Sequence, residues 1–246
     1  MGLSAANAFI KQGAYVVAVG HDDKSTENVK QLFPDHAVVI TADARKIVTA
    51  EYAINTCCQM FGGFDGLYHI AGGSGRRMGD GPLDSLTLEG WNKTFELNLT
   101  SMMLSNRAAI RRFLSQKKGG TILNMGSVLG YSPSPKYFVT HAYAAAKAAV
   151  IGYSKSIAAY YAKDNIRVNV ITPGLVETPM AQRAANDPEI MGFIQTKQPL
   201  QGGRIGTPED LDGAACYFMS DQSRFTTGQV LGVDGGWSVS EGQYPE

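Results

Sequence analysis

A regular alternation of short apolar strands and helical stretches most constrains how this 246-residue chain can fold. The apolar runs are rich in Val and Ile, and helical patterns separate them. Strands separated by helices favour a parallel sheet that is buried on both faces. The predicted strands cover residues 14–20, 37–43, 64–73, 119–127, 165–174 and 228–236.

Helical patterns fill the intervals and complete a three-layer α/β/α architecture with a doubly wound parallel sheet. The predicted helices cover residues 3–11, 24–32, 50–60, 91–114, 143–163 and 208–219. Neither a linker nor a repeat interrupts this order, so the sequence predicts one domain over residues 1–246. Residues 176–203 are irregular and contain Pro and Met, and we expect them to form a flexible segment that covers a substrate pocket.

The composition excludes several classes of protein. Lys and Arg total 22 and Asp and Glu total 22, which leaves no basic surface of the kind that nucleic acids require. No apolar run is long enough for a membrane span, and the first residues do not resemble a secretory leader. The three cysteines predict neither a disulfide framework nor a metal site, so we expect a cytoplasmic protein without metal.

Tyr143 and Lys147 are spaced four residues apart on one predicted helix, within the stretch HAYAAAKAAV. This spacing places both side chains on the same helix face. A neighbouring ammonium favours the phenolate form, so Lys147 is predicted to lower the pKa of Tyr143 and prepare it for acid–base chemistry. Taken alone, such a pair is more often an ordinary surface contact.

Ser127 and Asn98 supply two further polar groups whose interpretation stays open on local grounds. Ser127 follows the predicted strand 119–127, at the sheet edge where ligands of such folds bind, although a lone Ser there is commonly a cap or turn residue. Asn98 lies inside a predicted helix, where Asn is a poor helix former. It either faces solvent or holds a water molecule or the lysine.

Together these residues resemble the catalytic tetrad of the short-chain dehydrogenase/reductase family: Asn98, Ser127, Tyr143 and Lys147 occur in the family's order. Three further stretches are similar to family segments, namely ITPGLVETPM (171–180), GRIGTPEDL (203–211) and TGQVLGVDGGW (227–237). The resemblance covers nearly the whole chain. It implies a Rossmann-like fold and reversible hydride transfer between NAD or NADP and an alcohol or ketone.

The resemblance also implies a role for each residue of the tetrad. Tyr143 would be the general acid/base, and Lys147 would lower its pKa and bind the nicotinamide ribose. Ser127 would orient the substrate oxygen, and Asn98 would hold a proton-relay water near Lys147. The implied cofactor-binding residues are Gly2, His21, Asp43, Ala44, Ala71, Gly72, Gly73, Tyr143, Lys147, Pro173, Gly174, Val176 and Thr178.

The amino-terminal region departs from the family pattern. The family begins with a strand and a glycine-rich turn, and Met1 and Gly2 align with the end of that turn. We therefore expect a truncated chain that lacks the first, central strand and most of the cofactor motif. Unpaired backbone groups at the two exposed strand edges would each cost about 1–3 kcal/mol. The two neighbouring strands could avoid this cost by closing up and pairing directly with each other, or another segment could fill the space between them.

Two other departures concern the cofactor. Gly20 and His21 stand where NAD-preferring relatives carry an acidic residue and NADP-preferring relatives carry Arg. Because no Arg is present there, NAD is favoured over NADP, although both stay open. His69 replaces an Asn of the family's Asn-x-Ala-Gly segment, and we interpret it as a structural hydrogen-bonding residue rather than a catalytic base.

The substrate region is predicted to be mainly apolar, and the aromatic and Met residues assigned to it are Tyr131, Tyr137, Phe138, Met180 and Phe193. Arg76 and Arg77 could meet an anionic substrate or could be solvated. The closing segment resembles the subunit-contacting strand of the family, which implies a homotetramer or homodimer. The alternative to an enzyme is a catalytically silent remnant that acts as a binding or assembly partner, because the phosphate-binding turn is missing.

Overall fold

The computed structural model describes residues 1–33 and 35–242, with Lys24, Ser25 and Asn28 as backbone only. Its six strands are β1 (Val16–Gly20), β2 (Ala37–Thr41), β3 (Gly66–His69), β4 (Gly120–Met125), β5 (Ile166–Pro173) and β6 (Val230–Val233). Its helices are α1 (Gly2–Lys11), α2 (Asp23–Leu32), α3 (Ile47–Phe61), α4 (Leu88–Phe95), α5 (Ser101–Gln116), α6 (His141–Tyr161), α7 (Gln182–Ala185), α8 (Pro188–Lys197), α9 (Leu200–Gly203) and α10 (Asp212–Met219).

The helices enclose the sheet from both sides and confirm the predicted three-layer architecture. On one face, Phe113 of α5 and Ala158 of α6 pack against Ile122 and Val168 of the central strands. On the other face, α10 packs its Phe218 against Leu123, Met125 and Ile171, and Phe9 of α1 joins this cluster. Both faces of β4 and β5 are therefore covered by helices and largely buried, which explains why their sequences show no alternation of apolar and exposed polar residues.

All strand pairs are parallel, and the strands form two separate groups. Strand β1 pairs with β2 alone, whereas β3, β4, β5 and β6 pair in that order. Among the described residues no strand pairs with both β1 and β3. The sheet therefore has a gap between β1 and β3. The two strands do not pair with each other, and no described segment fills the space, so neither expected way of avoiding unpaired edges occurs among the described residues.

The hydrogen-bond register identifies which backbone groups face this gap. Val16 donates its amide to His36 at 2.9 Å, so alternate residues of β1 point toward β2. Val17 and Val19 consequently direct their amides and carbonyls into the gap. On the opposite side, Thr121 donates its amide to the carbonyl of Asp65 at 3.1 Å, which turns the backbone groups of Gly66 and Tyr68 into the same space.

Two predicted elements differ from the structure. The region predicted as one helix over residues 91–114 consists of α4, a π-helical turn at Glu96–Thr100 and α5. The segment predicted as irregular, residues 176–203, contains the helices α7, α8 and α9. Asp187 accepts hydrogen bonds from two amides at the start of α8, and Pro188 occupies its first turn. This cap stabilises a helix where only an irregular stretch was expected.

None of the helices in the described part of the chain is both long and apolar enough to cross a membrane.

Candidate active site

A single cavity of about 1250 Å³ runs along the carboxyl edge of the sheet and into the gap between β1 and β3. It is larger than the range of about 300–1,000 Å³ that ligand pockets commonly occupy. The predicted site residues on its surface are Gly2, His21, Asp43, Ala44, Ala71, Gly72, Gly73, Ser127, Tyr143, Lys147, Pro173, Gly174, Val176 and Thr178. Asn98 lies behind this surface. The structure thus brings the sequence-predicted site residues to one place.

Tyr143 and Ser127 form the hydroxyl pair of the site. Ser127 follows β4 and caps a short 3-10 turn, where its Oγ accepts a hydrogen bond from the amide of Leu129 at 3.2 Å. Tyr143 lies in the first turn of α6, and its side chain and that of Ser127 both line the cavity. Burial raises the pKa of Tyr143, and the neighbouring Ser127 side chain partly opposes this rise. The two hydroxyls can therefore share a proton with a bound oxygen atom.

Lys147 is buried beneath this pair. Its ammonium donates a hydrogen bond to the carbonyl of Met125 at 2.9 Å and lies 5.6 Å from the ring centroid of Tyr143. Burial lowers the pKa of Lys147 to about 8. The sequence predicted that Lys147 lowers the pKa of Tyr143. In the structure burial is the larger effect and the pKa of Tyr143 is raised, so this expectation is wrong for the geometry present here.

Asn98 connects the π-helical turn to the loop after β3. Its Nδ2 donates to the carbonyls of Gly73 at 2.8 Å and Thr94 at 2.9 Å, and its Oδ1 accepts from the amide of Gly73 at 3.0 Å. A Cβ atom at Gly72 would lie 2.7 Å from Asn98 Oδ1. Only a glycine therefore fits at position 72 without a shift. The Asn98 amide fixes this loop against the cavity, and π-helical turns are frequent at functional sites.

His69 ends β3 and is buried close to Lys147. Its Nδ1 forms a hydrogen bond with Ser105 Oγ at 2.8 Å, and its Nε2 lies 3.5 Å from Ser101 Oγ. Burial and, to a smaller extent, the charge of Lys147 lower the pKa of His69 to about 3. The imidazole is neutral near pH 7 and joins β3 to α5. This arrangement agrees with its interpretation as a structural hydrogen-bonding residue.

Asp80 is a residue of the site that sequence reasoning missed. Its buried carboxylate accepts hydrogen bonds from the amides of Ala142 and Tyr143, each at 2.9 Å, and so caps the amino end of α6. A carboxylate at this position complements the positive end of the helix dipole. Asp80 lies more than 60 residues from its partners along the chain, so no local sequence pattern marks it as a cap of α6.

The segment after β5 is held by a second unpredicted residue, Gln198. The side chain of Gln198 is buried and bonds to both the amide and the carbonyl of Leu175. A Cβ atom at Gly174 would lie 2.6 Å from Gln198 Oε1 and 3.0 Å from the carbonyl of Asp234. The backbone from Pro173 to Val176 is consequently fixed where it borders the cavity.

The opposite end of the cavity carries His21 and Asp43, two of the implied cofactor-binding residues. The His21 side chain is 87% exposed, and its Nδ1 lies 3.6 Å from a carboxylate oxygen of Asp22. The Nε–H of Arg45 is shared between the two carboxylate oxygens of Asp43, and Arg45 Nη2 donates to Oδ2. These contacts lower the pKa of Asp43 to about 2. Asp43 is therefore ionised, and its carboxylate is already hydrogen-bonded to Arg45. Arg45 also lines the cavity, although the sequence did not single it out.

The donor groups of the cavity fit a nicotinamide dinucleotide at both ends. Tyr143, Lys147 and the Pro173–Val176 backbone border one end, and His21 and Asp43 border the other. Between them lies the amino end of α1, whose first turn has no side-chain cap. Free amides at a helix amino terminus suit a phosphate group. Of the glycine-rich turn expected there, Gly2 alone is present in the described chain.

The residues that line the substrate end of the cavity differ in part from those predicted. Phe138, Met180 and Arg76 line the cavity as expected, and Arg183 and Trp237 join them. Tyr131, Tyr137 and Phe193 do not line it. The Tyr131 hydroxyl bonds instead to Thr172 Oγ1 at 2.9 Å, and the Tyr137 ring packs on Phe193 at 4.9 Å between centroids. These three rings lie outside the cavity, so the pocket is less aromatic than predicted.

Comparisons with known proteins agree with this geometry. The family model described as enoyl-(acyl carrier protein) reductase matches residues 1–238. The chain is 33% identical to 2-(S)-hydroxypropyl-CoM dehydrogenase 3 of Xanthobacter autotrophicus, over 97% of this chain and 92% of that protein.

Solved structures give the same result. A short-chain type dehydrogenase/reductase from Mycobacterium ulcerans superposes with a TM-score of 0.88 at 26% identity, covering 97% of this chain and 86% of that one. A gluconate 5-dehydrogenase from Burkholderia cenocepacia, solved with NADP and tartrate, gives 0.85 at 27% identity, with coverages of 96% and 90%. With its tetrad gathered at one sheet edge, this chain belongs to the short-chain dehydrogenase/reductase family.

Proposed function

We propose that this protein catalyses reversible hydride transfer between NAD(P) and the alcohol or ketone group of a small molecule. An oxidoreductase function follows from its family and from its dehydrogenase relatives. The observation that carries the finer proposal is the convergence of the Tyr143 hydroxyl, the Ser127 hydroxyl and the Lys147 ammonium in one cavity. These groups supply a proton donor, an oxygen-positioning donor and a cation.

In this proposal Tyr143 transfers the proton and Ser127 holds the reacting oxygen. During ketone reduction Tyr143 donates its phenolic proton to the carbonyl oxygen, and during alcohol oxidation the phenolate accepts the hydroxyl proton. The Ser127 hydroxyl donates a hydrogen bond to the same oxygen and stabilises its developing negative charge. When bound, the nicotinamide supplies or accepts the hydride.

Lys147 places its ammonium 5.6 Å from the ring centroid of Tyr143 and leaves donors free for a ribose. With a pKa of about 8, its side chain is mostly protonated at neutral pH. One N–H binds the carbonyl of Met125, so two remain for sugar hydroxyls in the cavity. Asn98 acts here by fixing the backbone of Gly73, and its predicted role of holding a relay water stays a prediction.

For the cofactor we propose contacts along the whole cavity. Lys147, Gly72, Gly73 and the 173–178 segment border the nicotinamide end, whereas His21, Asp43 and Ala44 border the adenosine end. The absence of Arg at position 21 favours NAD over NADP. We also propose a homodimer or homotetramer in which the strand β6 region contacts a second subunit.

The first test is a fluorescence titration of the purified chain with NADH and NADPH, followed by assays with a panel of alcohols and ketones. We expect saturable binding of at least one cofactor and turnover that Tyr143→Phe abolishes. Tyr160→Phe is the matched control, because Tyr160 lies on the same helix with 65% of its surface exposed. Equal turnover in Tyr143→Phe and the parent protein would refute the proposed role of Tyr143.

The alternative, a silent protein that acts as a binding or assembly partner, has one observation in its favour. The turn that would hold the pyrophosphate is reduced to Gly2 and the amino end of α1 in the described chain. Absence of binding for both cofactors, with the circular dichroism of a folded protein, would favour this alternative.

A further inference from the structure

Two arginines from different parts of the chain meet at the substrate end of the cavity. Arg76 lies in the 3-10 turn Arg76–Met78 that follows β3, and Arg183 lies in α7. Both line the cavity, together with Met180 and Phe138, whereas Arg77 does not. The two guanidinium groups are close enough for the charge of Arg183 to lower the pKa of Arg76, an effect second only to burial.

The positive charge at this end of the cavity has no ion-pair partner among the described residues. Neither Arg76 nor Arg183 forms a salt bridge within the part of the chain that the structure describes. Asp80 is the acidic group that acts on Arg76, but both of its oxygens accept hydrogen bonds from the amides of α6. Two like charges held close together destabilise each other unless an anion lies between them.

Arg183 is held in position before any ligand binds. Its Nη2 donates to the carbonyl of Tyr137 at 3.1 Å, and its guanidinium carbon lies 6.0 Å from the ring centroid of Phe138. A guanidinium carries five N–H donors, so most of them stay available in a fixed plane. Such a group suits two-point binding of an oxyanion, and its fixed position lowers the entropic cost of binding.

We propose that Arg76 and Arg183 bind an anionic group of the substrate, so that the substrate is a hydroxy or keto compound bearing a carboxylate or a similar oxyanion. This inference rests on the proposed function, because it assumes that the cavity beside Tyr143 receives the substrate. The apolar surface of Met180 and Phe138 contacts the carbon spacer between the reacting carbonyl and the anion.

The test measures equilibrium binding and therefore does not require turnover. Three keto acids of increasing length (pyruvate, levulinate and 6-oxoheptanoate) are titrated into the protein, each beside a neutral methyl ketone of the same carbon number. Saturation-transfer NMR or calorimetry gives the affinities. We expect at least one keto acid to bind about tenfold or more tightly than its neutral counterpart, as for a charge-assisted contact.

Variants locate the anion-binding groups. Arg76→Gln and Arg183→Gln are each expected to weaken keto acid binding about tenfold and to leave neutral ketones unaffected. Arg77→Gln is the matched control, since Arg77 is the adjacent residue outside the cavity. The proposal would be overturned if Arg77→Gln lost as much keto acid affinity as the other two variants. It would also be overturned if no keto acid bound more tightly than its neutral methyl ketone.

A parallel measurement tests whether these arginines bind an anionic group of the substrate or a phosphate of the cofactor. The affinities for NADH and NADPH are measured in the same variants and are expected to stay unchanged. Weaker cofactor binding in Arg76→Gln and Arg183→Gln, with keto acid binding intact, would assign these arginines to a cofactor phosphate and refute the inference. Turnover is scored separately, so failure of the proposed reaction leaves the anion preference independently measurable.

Discussion

Removing the carboxylate of Asp80 is expected to destabilise the protein and to impair Tyr143 without any contact between residue 80 and substrate. The carboxylate accepts the amides of Ala142 and Tyr143 and is 3% exposed. Each hydrogen bond to a charged group contributes about 1.5–3 kcal/mol, and a helix cap about 0.5–2 kcal/mol. Asp80→Ala leaves two buried amides without a partner, so we expect a loss of about 3–5 kcal/mol in the free energy of unfolding.

Urea denaturation followed by circular dichroism measures this loss. With a slope of about 2.5 kcal/mol per molar urea, the unfolding midpoint should fall by about 1–2 M. Asp84→Ala is the matched control, because Asp84 is exposed in the same loop and its removal should change stability by less than about 0.5 kcal/mol. Asp80→Asn keeps one acceptor oxygen, so its unfolding midpoint should lie between those of Asp80→Ala and Asp84→Ala.

The same variants also test the catalytic consequence. At a urea concentration where each protein is fully folded, we expect kcat to fall in Asp80→Ala and to stay at the parent value in Asp84→Ala. Equal midpoints for Asp80→Ala and Asp84→Ala would refute the capping argument. A lower midpoint with unchanged kcat would show that the cap stabilises α6 without positioning Tyr143.

Three further predictions concern titration and hydrogen exchange. Because the pKa of His69 is lowered from 6.5 to about 3, the unfolded chain binds a proton that the folded chain does not, so stability should fall as the pH drops from 6.5 toward 3. His69→Asn should flatten this fall in acid denaturation curves, and an unchanged slope would contradict it. The pKa of Lys147 is lowered from 10.5 to about 8, so its contribution should make stability rise with pH between 8 and 10.5. The rise should vanish in Lys147→Met, as measured by urea midpoints across that range. In hydrogen exchange, the amides of Val17 and Val19 should exchange at least about tenfold faster than that of Val16, because they face the gap. Equal protection would mean that these amides have partners.

The order of strands and helices was predictable from the sequence because apolar runs and helical patterns are local signals. The meeting of Ser127, Tyr143 and Lys147 was predictable as well, since the carboxyl ends of parallel strands share one edge. The helix caps were harder to predict from the sequence. Asp187 and Pro188 did signal the start of α8, yet the Pro and Met content of the region suggested an irregular segment.

Other features depend on distances that no local pattern contains. Asp80 and Gln198 bind backbone groups that are distant along the chain, so no local pattern marked either residue. The raised pKa of Tyr143 follows from the balance between burial and neighbouring groups, which spacing along a helix does not determine. Arg183, rather than Arg77, joins Arg76 at the cavity, which depends on the tertiary fold and not on adjacency in the sequence.

The sheet is divided into two strand units, which flank a ligand-sized space and are linked through α3, which contacts β1 and places Ile54 in the buried cluster with Phe113. The pair β1 and β2 carries His21 and Asp43, while the four-stranded group carries Ser127 and, through α6, Tyr143. No described backbone hydrogen bond between strands links the two groups, so motion of one is transmitted to the other only through side-chain packing and the connecting chain. A dinucleotide spanning the cavity would contact both units, and its binding free energy would then oppose their separation. Ligand binding in the cavity would thus restrict the motion of the two strand units relative to each other.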